Sequence, residues 1–200
     1  MSASAKLPPM DLPVRRAMTH EEFFDWAQTH EGRYEFDGCQ PVAMTGGTAN
    51  HGLISGNLMY QLKGRLRGTG CVPSGSDGPG VSTVNQKIRY PEAVVTCTKF
   101  GGRDRLIPNP VVVFEVLSDS TRNTDRFTKL REYHAVPSIR RYVLIEQEEI
   151  GITVHVRRAD EPWTTTTLVE GSTLSLPEIG IELPLADLYD GVTFDDGEAN

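Results

Sequence analysis

Residues 111–117 read Val-Val-Val-Phe-Glu-Val-Leu, and the single acid in that apolar run, Glu115, calls for a chemical explanation. An ionised carboxylate is very costly in a low-dielectric interior, so it must be neutral, paired with a cation or bound to a metal. A structural ion pair meets that requirement as well as a catalytic one does. A second acid stands in Tyr90-Pro91-Glu92-Ala93-Val94-Val95. Proline has no amide proton and tolerates the first position of a strand. Glu92 then either points into a cleft at the strand's end or lies at the surface as a strand-entry residue. Lys129 follows in Asp125-Arg126-Phe127-Thr128-Lys129-Leu130-Arg131. On a helix packed across the end of the Glu115 strand its ammonium reaches the same cleft; otherwise it belongs to a solvated helix face. Lysine is a compact charge that can orient an attacking water or neutralise charge developing on a phosphate. Two carboxylates on neighbouring strands beside a lysine suit a hard divalent cation, Mg2+ or Mn2+, which takes oxygen ligands and keeps several waters. Such an ion polarises a phosphate and acidifies a bound water.

Local patterns predict the elements that must position these groups. Thr19 and Glu22 have capping-box spacing ahead of Phe23, Phe24 and Trp26, which predicts a short helix. Residues 33–36 and 40–44 flank the turn dipeptide Asp37-Gly38, a hairpin signal closed by Gly46-Gly47. From 50 to 66, Leu53, Ile54, Leu58, Leu62 and Leu66 recur at helical spacing, with Lys63, Arg65 and Arg67 at the carboxyl-terminal end. Residues 69–80 are rich in Gly and Ser and read as loop, with at best a short strand near 71–73. Strands are predicted over 81–84, 93–98 and 111–117, the last covered on both faces. Ser118, Asp119, Ser120 and Thr121 offer caps for a helix over 122–134 with Phe127, Leu130 and Tyr133 on one face. Pro137 ends it. Strands over 141–146, 151–157 and 163–169 are spaced like a meander, and residues 174–188 carry a last short turn of helix. The fold class is α/β: a mixed central β-sheet flanked by helices, with an additional β-hairpin and meander. One domain is expected over 18–190, between a flexible leader (1–17) and a tail (191–200).

Composition narrows the function classes. A hydrophobic fraction of 38% and a charged fraction of 24% suit a soluble globular domain. No apolar run approaches the roughly 20 residues that span a bilayer, so no membrane partner is expected. The first residues lack the apolar core of a secretory signal. Cys39, Cys71 and Cys97 are odd in number and scattered, which argues against a disulfide framework or structural zinc and for a reducing cytoplasm. A net charge of -7 argues against a broad nucleic-acid footprint, although an acidic metal centre is compatible with a local grip on DNA. There is no GxSxG elbow, and the glycine-rich stretches match neither a P-loop nor a dinucleotide fingerprint, so no organic cofactor is expected.

Several stretches in order carry a resemblance. They are YEFDG (34–38), NHGLISGNL (50–58), RYPEAVVTC (89–97), VVFEVLSDSTRNTDRFTKLREY (112–133) and VPSIRRYVLI (136–145). Together the chain resembles the Uma-type “putative restriction endonuclease” family, a domain-of-unknown-function family of the PD-(D/E)xK nuclease superfamily, over about residues 18–190. The resemblance implies a restriction-endonuclease-like core with metal carboxylates at Glu92 and Glu115. The superfamily's lysine usually lies two residues after the second acid, where this chain has Leu117; the family supplies it from the next helix, which points to Lys129 as the third catalytic residue. Glu35 matches the superfamily's amino-terminal acid, an accessory ligand, or else is a hairpin-edge residue. His51, at the start of the long helix, falls where the family often has a polar residue and is a second accessory candidate. The family's first acid is typically Asp; Glu92 keeps the ligand type and adds about 1.5 Å of reach. Asp125 is placed to cap its helix or to hold Lys129 through an i,i+4 pair.

Two functions compete. One is a Mg2+- or Mn2+-dependent endonuclease that hydrolyses DNA phosphodiesters, with Lys63, Arg65, Arg67, Arg122, Arg126 and Arg131 as local contacts. The other is a catalytically degenerate nuclease-fold protein acting as a nucleic-acid or protein interaction module. The resemblance also implies a homodimer.

Overall fold

The computed structural model describes residues 16–118, 124–158 and 161–194, with the side chains of residues 124 and 125 outside that description. Thr19 makes both hydrogen bonds of a capping box with Glu22 and starts α1 (His20–Gln28). The Asp37-Gly38 turn joins β1 (Tyr34–Phe36) to β2 (Pro41–Ala43), with Gly38 at φ 92, a conformation that favours glycine. Thr48 caps α2 (Ala49–Arg65), which buries Ile54, Leu58 and Leu62. Then come β3 (Val72–Gly75), β4 (Val81–Ser82), β5 (Ile88–Arg89), β6 (Ala93–Thr96) and β7 (Pro110–Val116). A π-helical segment, Thr124–Lys129, runs into α3 (Leu130–His134). Next are β8 (Arg141–Ile145), β9 (Gly151–Val156), β10 (Thr164–Val169), β11 (Thr173–Leu176), β12 (Ile181–Pro184) and α4 (Leu185–Leu188).

The main sheet has the order β10-β9-β8-β7-β6-β3. Its β7 and β8 run parallel and its other neighbours antiparallel. A parallel pair needs a long crossover, and α3 lies in it. Side chains alternate along β7. Val112, Phe114 and Val116 pack with α2, the β11–β12 hairpin and α4, whereas Val113 and Leu117 pack with Tyr133, Ile139 and Tyr142 on the opposite face. The expected mixed sheet between helical layers is therefore present, with β7 buried on both sides. A smaller sheet, β2-β1-β5-β4, sits on Phe23, Phe36 and Ile88.

Three expectations need correction. The face of Phe127, Leu130 and Tyr133 forms only in part: Tyr133 is buried with Leu130 packed against its cluster, but Phe127 is 65% exposed and Lys129 is buried. A π-helix has more residues per turn than the 3.6 assumed, so the phase slips within one turn and Lys129 takes the inward position. The segment 69–80 is not loop throughout, because β3 pairs with β6 over Val72 to Gly75. That pairing also overturns the argument from the cysteines. The register sets Val72 opposite Thr96, so Cys71 and Cys97 are cross-strand neighbours and form a disulfide, leaving Cys39 free and exposed. Scattered positions in sequence carry no information about such cross-strand pairing. The cysteines thus give no support to a reducing compartment. Closing a 26-residue separation should stabilise the fold by about 3 kcal/mol through the unfolded chain's lost entropy. Cys71→Ser should lower the denaturation free energy by that amount, and reductant should do the same to the wild type; equal midpoints with and without reductant would contradict it.

On the α3 face His134 stacks on Trp163 with centroids 3.9 Å apart. Burial, the neighbouring His155 and the charge of Arg157 lower the His134 pKa to about 4. A depressed histidine pKa makes the unfolded chain the stronger proton binder, so stability present above about 6.5 is lost as pH falls towards 4. Urea midpoints at pH 7 and pH 5 should differ in the wild type, and the difference should shrink in His134→Asn, with His155, also lowered by burial, carrying the remainder.

The N-terminal leader to residue 15 and the tail from 195 lie outside the described residues, as do Asp119, Ser120, Thr121, Arg122 and the side chain of Asp125. Among the described residues no helix is long and apolar enough to cross a membrane.

Candidate active site

Glu92 stands one residue before β6. The β6–β7 register sets Ala93 opposite Phe114 on the α2 face, so Glu92 falls opposite Glu115 on the other face. The ladder does not stop at Ala93: Glu92 Oε2 accepts the amide of Val116 at 3.1 Å, replacing a strand carbonyl where β6 begins. Directly opposed side chains in an antiparallel pair have Cβ atoms about 5 Å apart, and the two carboxylates lie within hydrogen-bonding reach of each other.

The π-helical turn brings Lys129 to the same place from above. Its Nζ donates to Glu115 Oε1 at 2.9 Å and lies 3.4 Å from Glu35 Oε1. The side chains of Glu115 and Lys129 are only 3% and 8% exposed. Tyr133, one helical turn beyond Lys129, donates its hydroxyl to Glu115 Oε1 at 3.1 Å. Burial and then the Glu115 charge push its pKa well up, so the phenol remains a donor. From α2, His51 Nε2 sits 3.2 Å from Glu92 Oε1. Burial alone would raise the Glu92 carboxyl, but hydrogen bonds with His51 and Glu115 and the charge of Lys129 hold it at about 2. All five residues singled out in the sequence, Glu92, Glu115, Lys129, Glu35 and His51, line one cleft of about 480 Å3.

A second tier supports the first, and sequence reasoning missed it. Arg89 on β5 donates Nη1 to Glu35 Oε2 at 2.7 Å, Nε to Glu132 Oε2 at 2.7 Å and Nη2 to Glu132 Oε1 at 2.9 Å. Lys87 completes Glu132 at 2.7 Å, and the amide of Tyr90 donates to Glu35 Oε1. The available signal was Arg89 itself, a cation next to Ile88 in the short run that leads to the strand-entry Pro91.

In this cluster the carboxylates of Glu35, Glu92, Glu115 and Glu132 meet the fixed cations Lys87, Arg89 and Lys129. Lys87 serves Glu132, Arg89 is shared between Glu132 and Glu35, and Lys129 between Glu35 and Glu115, while Glu35, Glu92 and Glu115 bring hard oxygen donors to the cleft. Those residues fit a hard divalent cation. Among the described residues no group of three or more His, Cys, Asp or Glu side chains forms a ready-made metal cage.

Comparison with known proteins gives the family of the chain. Residues 20–186 match the model of the Uma2 family, described as “Putative restriction endonuclease”. The uncharacterized protein slr1290 of Synechocystis is 30% identical over 181 residues, covering 88% of this chain and 94% of that protein. The uncharacterized protein sll1609 of the same organism is 23% identical over 163 residues, covering 80% and 92%. Among solved structures, a “putative nuclease belonging to DUF820” from Anabaena variabilis superposes with a TM-score of 0.69 at 14% identity, covering 88% of this chain and 99% of that one. At that identity the likeness shows a shared fold.

Proposed function

The chain belongs to the Uma2 family, and from that membership and the geometry of the cleft we propose that it is a divalent-metal-dependent nuclease hydrolysing DNA phosphodiester bonds. The observation that carries this reading is the cross-strand pair Glu92 and Glu115 with the Lys129 ammonium on its floor. The description of the Anabaena structure as a nuclease supports it.

Glu92 and Glu115 would hold the cation, Mg2+ or Mn2+, which supplies phosphate polarisation and a more acidic water. Lys129 fixes one oxygen of Glu115 and keeps a positive charge on the cleft floor, where a phosphoryl group gains negative charge during displacement. Tyr133 fixes the same Glu115 oxygen from within the core, so the carboxylate cannot swing out of the cleft. His51, with Nε2 at 3.2 Å from Glu92 Oε1, orients Glu92. Glu35, tied to Arg89 and to the Tyr90 amide, sets the second side of Lys129. DNA is the substrate this chemistry implies, and the family resemblance adds a homodimer.

The test is cleavage of supercoiled plasmid and of circular single-stranded DNA across a Mg2+ and Mn2+ titration. Metal-dependent nicking that vanishes with Glu115→Gln is expected. If neither ion binds or supports cleavage, while Glu92→Asp restores both, the chain is instead a degenerate member acting as an interaction module.

A further inference from the structure

We propose that the substrate is single-stranded DNA, threaded through two cavities that meet at Glu92. The inference rests on the nuclease reading and goes beyond it by naming the strand state. The first cavity, about 480 Å3, contains the acid centre; the second, about 430 Å3, runs between α2 and β3, and the two share Ser55, Ser76 and Glu92 as a common wall. Each volume lies within the range of about 300–1,000 Å3 that encloses a small ligand, room for a nucleotide-sized unit on either side of Glu92. A strand spanning both therefore carries its linking phosphate across the carboxylate.

The linings suit that strand. Met44, Val42 and Tyr90 give the first cavity an apolar wall with an aromatic ring, on which a base can rest. The second has Ser74 and Asp77 on one side and, on α2, the exposed Lys63 and Gly56, where a Cβ would meet nothing within 4 Å and a sugar or phosphate can approach the backbone.

A continuous duplex fits poorly. Its scissile phosphate would have to reach a floor where the Glu115 and Lys129 side chains are 3% and 8% exposed, below walls formed by the β1–β2 hairpin and α2. A paired strand cannot descend there without unstacking, whereas an unpaired one bends in at no such cost. Among the described residues, basic side chains that a duplex would need are already held by acids. Arg65 is paired with Asp187 at 2.5 Å, Arg126 is paired with Glu146, and the chain carries a net charge of -7. Duplex affinity comes largely from neutralising many phosphates at once.

The experiment compares initial rates in Mn2+ on an end-labelled single strand, the same strand in a blunt duplex, and a duplex with a single-stranded gap, with Glu115→Gln as control. Cutting of the single strand and of the gap at least about tenfold faster than the blunt duplex is expected. Equal or faster cutting of the duplex, lost in Glu115→Gln, overturns the single-strand inference and leaves the nuclease reading standing. Absence of cutting on every substrate overturns both. Fluorescence anisotropy of the labelled single strand in Ca2+ tests the second cavity. Lys63→Glu should weaken binding about fivefold, more at low salt than at high salt, and unchanged affinity removes that cavity from the path.

Discussion

Replacing Lys129 with methionine is expected to reduce metal-dependent cleavage by at least about a hundredfold and to lower stability by about 3 kcal/mol in metal-free buffer. Methionine keeps the length and apolar stem of lysine, so packing is nearly conserved and the change is mainly one of charge. The loss removes a cation from two buried acids at once, because the ammonium serves Glu115 at 2.9 Å and Glu35 at 3.4 Å, and of the two Glu35 keeps Arg89. Breaking a buried pair by removing one partner leaves an uncompensated charge, the costly direction. Mn2+ should return part of the lost stability to Lys129→Met, since an ion at Glu92 and Glu115 replaces the missing positive charge. Glu115→Gln should behave differently. Its amide oxygen still accepts from Lys129 and Tyr133, so folding suffers less, but cleavage is lost and Mn2+ adds little stability. A purely structural ion pair would give two variants with similar stability losses and no dependence on the ion.

Arg89→Met should be the most destabilising single change in the cluster, at about 4 kcal/mol. One guanidinium holds Glu132 with two hydrogen bonds and Glu35 with a third, all at 2.7–2.9 Å, and both acids are buried. Lys87 remains on Glu132 at 2.7 Å and Lys129 remains 3.4 Å from Glu35, so each acid keeps one cation and loses the closer guanidinium contacts. Adding Glu132→Gln to Arg89→Met should recover part of the stability, whereas two independent sites would give additive losses. The pH dependence supplies a second check. Burial would raise the Glu132 carboxyl, but hydrogen bonds from Arg89 and Lys87 hold it below 4.5. Stability from that group is therefore present above pH 4.5 and lost as pH falls through the lower folded value. Denaturant midpoints should decline with acid in the wild type and much less so in Arg89→Met, where the pairing is already gone.

The difference between what was legible in the sequence and what was not follows the range of the interaction. Glu115 was legible because its neighbours on both sides in sequence are apolar, and burial of β7 on both faces follows from the same run. The α1 cap and the β1–β2 turn were legible because each depends on a few adjacent residues. Glu92 was visible as a strand-entry acid, but its position opposite Glu115 depends on the β6–β7 register, which no local pattern specifies. The Cys71 and Cys97 pairing was hidden for the same reason. Phe127 was misplaced because the 3.6-residue period fails in a π-helical turn, and the same turn sends Lys129 inward. Arg89 and Glu132 meet across 43 positions of sequence, and a two-residue strand such as β5 leaves no periodic trace. Tyr133 was read correctly as a core residue, yet its hydroxyl's bond to Glu115 needed coordinates to be seen.

The most direct measurement is Mn2+ binding followed by electron paramagnetic resonance, with wild type and Glu115→Gln at matched concentration. The account predicts saturable binding by the wild type and a loss of affinity of more than about tenfold in the variant, at unchanged fold by circular dichroism. Equal binding by the two proteins, or none by the wild type, would contradict it.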